Sequence, residues 1–281
     1  MLIELAPNHK RSLTLTNPLM LSSAFATDAR VGALVTLPLT LHARGGLGSR
    51  DFQREAPLPR VVEIPGGVLM CTGAANPGLE RVLRDHRRVW SQSNVPITEV
   101  TLVIVALAAQ AASDWATMAA RLERVEGVGG IELQLNPALD AVDAIRATRA
   151  ATELPILAKL DLDNAVEIAA ECVAAGANTL VIGRAPRGLA LVQGRAWYGR
   201  MYGAMVKPLA MKAFVEIRDL RLDAPLVACG GVHSADDARE FLSAGASAVE
   251  IDSAAWIDPA CVTRIAAGLA NRTQTNTDEH R

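Results

Sequence analysis

The chain has 281 residues, 50% of them hydrophobic and 21% charged, a composition ordinary for a soluble globular protein and ample for one large core. Its 28 basic and 30 acidic residues leave a formal charge of -2, which gives no reason to expect nucleic acid or an anionic membrane surface as a partner. Four dispersed cysteines without a C-x-x-C pair argue against a disulfide framework and against a structural zinc or iron–sulfur site. The first residues, "MLIELAPNHK", lack a charged segment followed by an apolar one. The longest apolar run, "VTLVIVALAAQAA" from Val100, is too short to span a bilayer. A cytoplasmic location is the expectation.

Short apolar runs then alternate with helical patterns. Candidate strands are "LMLSS" from Leu19, "ALVTL" from Ala33, "LVIVAL" from Leu102 and "IELQL" from Ile131, followed by "PILAKL" from Pro155, "TLVIG" from Thr179, "PLVACG" from Pro225 and "SAVEI" from Ser247. Each is nearly continuous in apolar residues, the pattern of a parallel strand buried on both faces. Helical stretches lie between them, such as "WATMAARLERV" from Trp115 and "NAVEIAAECVAAGA" from Asn164. A third is "SADDAREFLSAGA", where Ser234 is placed as N-cap with Asp236 and Asp237 in the first turn. Eight strands with intervening helices predict a (β/α)8 TIM barrel over residues 1–270, with a polar, frayed tail at 271–281. An open doubly wound sheet is disfavoured, because no G-x-G-x-x-G follows an early strand. The Gly- and Pro-rich segment 44–75 reads as an excursion over the barrel mouth.

Function in such a barrel is expected at the C-terminal ends of the strands. Lys159 ends the fifth, and a buried lysine there needs an anion or an electron-rich ring, or else an ion pair with Asp161 or Glu132. Gly230-Gly231 ends the seventh, where exposed backbone N–H groups suit a phosphate, or simply a tight turn. Asp252 opposes a phosphate. At about 5 Å one pair of like charges costs about 3 kcal/mol for an effective dielectric near 20. Arg184 on the neighbouring strand end is a candidate to neutralise it, or to be the anion ligand itself. Cys71 and Cys229 read as buried thiols, and His233 and Tyr202 as helix-terminal or lid residues. There is no Ser–His–Asp order and no metal-ligand spacing.

Seven segments in order resemble the dihydroorotate dehydrogenases, flavin-mononucleotide barrels of pyrimidine synthesis. They are "NPLMLSS" (17–23), "GALVTLPLTLHARGG" (32–46), "IPGGVLMCTGAANPG" (64–78), "AKL" (158–160), "VKPLAMK" (206–212), "ACGGVHSADDAREFLSAGASAVEI" (228–251) and the residues that follow. The resemblance implies flavin mononucleotide (FMN) contacts at Ser22, Ser23, Lys159, Gly230, Gly231 and Ser253, and substrate or anion contacts at Asn76 and Arg184. It implies a small-molecule ligand and leaves a homodimer open. The departures fall on chemistry. The family's second-strand lysine corresponds to Leu37 and an asparagine to Met70. Its Asn-x-Ser-Cys-Pro-Asn loop, which carries the Cys or Ser base, corresponds to "QLNPAL" (134–139), with no side chain that titrates near neutrality. The Asn-Thr or Asn-Ser pair after the sixth strand becomes Gly183-Arg184, and the Gly-Thr or Gly-Ser after the eighth becomes Asp252-Ser253. No catalytic residue and no metal ligand are therefore assigned. Three readings follow: a flavin-dependent oxidoreductase for which dihydroorotate is an unsuitable substrate, a non-catalytic binding or assembly barrel, and a cofactor-free phosphate-binding barrel.

Overall fold

The eight apolar runs pair in chain order and close on themselves. A computed structural model describes residues 2–24, 30–43, 59–71, 75–91, 101–135 and 140–278. Within them the barrel strands are β1 (Leu19–Leu21), β2 (Ala33–Val35), β3 (Leu102–Leu107), β4 (Val128–Gln134), β5 (Ile156–Asp161), β6 (Thr179–Arg184), β7 (Leu226–Cys229) and β8 (Ala248–Ile251). Every neighbouring pair is parallel, and β8 returns to β1 through Glu250 opposite Met20. The fold is the (β/α)8 barrel that the sequence predicts.

Two apolar layers hold it. Outward strand residues such as Val103, Val105, Ile131, Leu160 and Ile182 pack with the buried faces of the surrounding helices. The helix Ala112–Leu122 contributes Trp115, Met118, Ala119 and Leu122, one stripe at helical spacing. Met118 and Leu122 each contribute about 1.5–3 kcal/mol by leaving water. The helix Ala235–Ser243 starts where its sequence says it should. Ser234 accepts from the Asp237 backbone N–H, and Asp237 returns the contact in a capping box. The C-terminal helix, Cys261–Asp278, packs on it; within residues 271–281, positions 279–281 lie outside the described residues.

The inward layer is shorter. Met20, Ala33, Val35, Ile104, Leu157, Val181, Val227 and Ala248 form one buried cluster with Leu5, Leu13 and Leu15. The last three belong to a hairpin, Ile3–Glu4 with Thr14–Leu15, that closes the N-terminal end of the barrel. Among the described residues the bottom is therefore filled by apolar side chains, which leaves the C-terminal mouth for a ligand.

A second sheet stands beside that mouth. The antiparallel strands Arg187–Val192, Arg195–Tyr202, Gly67–Met70 and Val61–Ile64 pair in that order. They leave the barrel after β2 and β6, so part of the expected excursion at 44–75 is ordered sheet; residues 44–58 and 72–74 lie outside the described residues. Gln193 and Gly194, with φ of 50° and 75°, form the two-residue turn that right-twisted hairpin strands require.

Candidate functional site

Alternate residues of a barrel strand face inward, and near the mouth these become charged. In β5 they are Leu157, Lys159 and Asp161; in β8 they are Ala248, Glu250 and then Asp252; in β4, Glu132 and Gln134. Lys159 Nζ donates to Glu250 Oε1 at 2.6 Å and lies 3.6 Å from Glu132 Oε1. Gln134 Nε2 donates to the same Glu132 oxygen at 2.6 Å. Glu132 and Glu250 are fully buried. Burial first, and then the neighbouring Glu250 carboxylate, push Glu132 up to about 8, so it carries a proton at neutral pH. The Oε2 atoms of Glu132 and Glu250 are buried and have no other partner among the described residues, and one proton between the two carboxyls satisfies both.

Above this ionic layer is a pocket at the ends of β6, β7 and β8. Gly183, Gly230, Gly231 and Ser253 line it, closed on the outer side by Met201 and Tyr202 of the second sheet. The backbone N–H groups of Gly231, Val232 and Ser253 make no hydrogen bond among the described residues. Asp252 also lines the pocket. Burial raises its carboxyl to about 6 against the opposing pull of Lys159, and the Ser23 side chain hydrogen-bonds to it. Ser23 reaches it from a left-handed backbone conformation, φ 58°. Asp252 Oδ1 is buried without a partner among the described residues. Tyr202 packs against Trp256 with ring centroids 5.1 Å apart and planes inclined at 51°, and burial raises its phenol to about 12.

Beside this pocket, at the ends of β5 and β6, are two arginines. The β5–β6 register carries a bulge between Ile182 and Arg184, so Arg184, not Gly183, sits opposite Asp161. Gly183 has φ 136°, and a Cβ there would lie 1.6 Å from the Cys229 carbonyl oxygen. Only glycine allows β6 to bulge at this point. Arg184 Nη1 donates to the Leu135 carbonyl at the end of β4. Arg200, from the second sheet, pairs with Asp161 at 2.9 Å and donates to the Ala185 carbonyl.

The residues expected from the sequence separate into groups. Gly230, Gly231 and Ser253 share the pocket, and Ser22 and Ser23 follow β1 beside it, with the Ser22 N–H donating to Ile251. Lys159 lies one layer below, in the ion pair with Glu132 that was one of its two expected partners; the other, Asp161, is taken by Arg200. Asn76 Oδ1 accepts from the Thr40 N–H, the Thr40 hydroxyl and the Gly78 N–H, so it staples the loop that follows β2. Asp252 faces the pocket, and its nearest cation is Lys159; Arg184 points elsewhere. Gly231 also has a packing reason, since a Cβ there would meet the Lys207 backbone nitrogen at 2.4 Å. Burial pushes the Cys229 thiol well above its ordinary range. The loop 136–139 lies outside the described residues.

Glu250 and Arg200 were not singled out in the sequence. Period-two counting back from Asp252 puts Glu250 inside, which could have found it. Arg200 sits in a hairpin whose only sequence signal is Gln193-Gly194 between two alternating runs. Among the described residues, no set of three His, Cys, Asp or Glu is arranged to hold a metal, and no helix is long and apolar enough to cross a membrane.

Comparison with known proteins gives a consistent result. A sequence model of the family described as dihydroorotate dehydrogenase matches residues 9–273. The catalytic subunit of dihydroorotate dehydrogenase B (NAD(+)) from Trichlorobacter lovleyi is 29% identical over 284 residues, covering 92% of this chain and 90% of that one. The corresponding subunit from Bacillus cytotoxicus is 32% identical over 219 residues, covering 72% and 70%. A crystal structure of DHODH from Eimeria tenella, in complex with ferulenol, superposes with a TM-score of 0.72 at 16% identity, covering 98% of this chain and 85% of that one. At that identity it speaks for the fold alone.

Proposed function

The chain belongs to the dihydroorotate dehydrogenase family, and on that premise we propose that it is an FMN-binding barrel that does not oxidise dihydroorotate. The fit of its residues to the cofactor is uneven. The N–H groups of Gly231, Val232 and Ser253 around one pocket, unpaired among the described residues, suit the phosphate. Asp252 in the same pocket opposes it, so the affinity is weak.

Flavin, when bound, supplies hydride acceptance. This chain's own residues would have to hold the substrate and take a proton from it. Positioned general bases are worth roughly 10²–10⁴-fold. The family's base corresponds to a position in "QLNPAL", which offers none, and Leu37 and Met70 replace two of its polar contacts.

The N–H groups around the pocket carry the flavin reading, and the capture of Lys159 is what makes the binding weak. Its ammonium is 2.6 Å from Glu250 and close to Glu132, inside the barrel wall, so its charge is already spent before a flavin ring arrives. The same observation favours a second reading, a family barrel that binds ligands without turning them over.

The test is a titration of the purified protein with FMN, followed by a dye-coupled assay with dihydroorotate. The proposal expects flavin binding without turnover. Turnover that depends on flavin would sink it. A protein that FMN neither binds nor stabilises would leave the non-catalytic reading.

A further inference from the structure

We propose that Arg184 and Arg200 form an anion site at the barrel mouth that takes the planar carboxylate of a small-molecule ligand. The inference deepens the reading above by naming a ligand class, and rests on it only in treating that ligand as the substrate.

The first support is the bulge. With regular pairing, Val181 opposite Lys159 would be followed inward by Gly183, and residue 184 would point out into the helix layer. The bulge moves residue 184 into register with Asp161, and so to the mouth. A bulge that re-aims one side chain at a strand end is a device found beside functional sites. Here it costs a glycine in a left-handed conformation pressed against the Cys229 carbonyl.

The second is charge. Arg184 makes no ion pair among the described residues, and its one hydrogen bond goes to a neutral carbonyl. The nearby carboxylate, Asp161, spends one oxygen on Arg200 at 2.9 Å and turns the other to the Asp163 N–H. Two guanidiniums thus face one carboxylate. Burial lowers Arg184 to about 10, and Arg200 adds to that, as expected for a cation short of its counter-ion.

The third is shape. Nη1 is anchored to Leu135, which leaves the Nε–Nη2 edge without a partner among the described residues. That edge is the two-pronged fork that matches a carboxylate side-on.

Titration calorimetry on the full chain, without flavin, tests this with benzoate, its neutral isostere benzamide, and inorganic phosphate. Benzoate should bind the wild type and benzamide should not. Arg184→Gln should weaken benzoate roughly tenfold or more, and Arg184→Lys, which keeps the charge but loses the fork, by an intermediate factor. Arg200→Gln should weaken it less. Should Arg184→Gln not fold, the Lys variant decides. No benzoate binding, equal binding of benzamide, indifference to Arg184, or phosphate bound as tightly with the same dependence on Arg184 would each overturn the assignment. Because no flavin is present, a failure here is distinct from a failure of the flavin reading.

Discussion

Lys159 on β5 and Glu250 on β8 meet across the barrel interior, Nζ to Oε1 at 2.6 Å, with both side chains almost wholly removed from water. A lone ammonium there would carry several kcal/mol of uncompensated desolvation. Glu250 compensates it directly and Glu132 adds to the field from 3.6 Å. The pair therefore ties the fifth strand to the eighth, and it fixes where the positive charge of the site resides.

Removing only the cation should be costly. Lys159→Met leaves two carboxyls facing each other in the barrel and should destabilise the fold by about 3–5 kcal/mol. Adding Glu250→Leu should recover most of the loss, because the buried charges then leave together. Urea unfolding of the two variants checks this. Equal losses in both would mean that packing, not charge, sets the cost.

Stability should fall with rising pH across the neutral range. Glu132 is raised from its ordinary 4.5 to about 8, so folding holds a proton that the unfolded chain has released. The contribution is full below pH 4.5 and is lost as pH climbs through 8, with a limiting slope of about 1.4 kcal/mol per pH unit. Asp252, raised from 3.8 to about 6, has the same sign over a lower window. In Glu132→Gln the decline between about pH 6 and 8 should largely vanish. Unfolding midpoints at several pH values would show it, and parallel curves for both proteins would refute the assignment.

Gly183→Ala should cost about 3 kcal/mol or more, since its Cβ would collide with the Cys229 carbonyl and its φ is one that alanine avoids. If β6 instead relaxes to regular pairing, Arg184 turns outward, and benzoate binding should disappear in protein that is still folded. Thermal unfolding together with calorimetry separates the two outcomes.

Asp252→Gly should tighten FMN binding, with little dependence on salt, because the carboxylate is buried. Wild-type affinity should itself improve as pH falls below about 6, where Asp252 takes up its proton. Tight wild-type binding that ignores both changes would mean that the carboxylate does not face the phosphate.

Most of the barrel was legible in the sequence because its strands are buried on both faces. "LVIVAL" and "TLVIG" need no periodicity to be read as strands, and the helix starting after Ser234 carries its own cap. The second sheet was harder. Its strand Arg187–Val192 alternates exposed and half-buried residues, and "GVLM" lies in a Gly- and Pro-rich stretch that looks like loop. In the site, the placement of Asp252 at the pocket followed from its position after the eighth strand. The inward turn of Arg184 could not be read, because a register shift depends on the neighbouring strand. Glu250 was hidden inside "SAVEI", where one carboxylate in an apolar run gives no hint that it faces a lysine some ninety residues away.

A flavin-binding barrel without dihydroorotate chemistry should keep its oxidised-flavin band, at about 450 nm, when dihydroorotate is added. The protein saturated with FMN would be mixed anaerobically with excess dihydroorotate and the band followed through many minutes. The band should persist, and Pro137→Cys alone should not change this, since Leu37 and Met70 also differ from the family pattern. Bleaching of the band in the wild type on addition of dihydroorotate would contradict it.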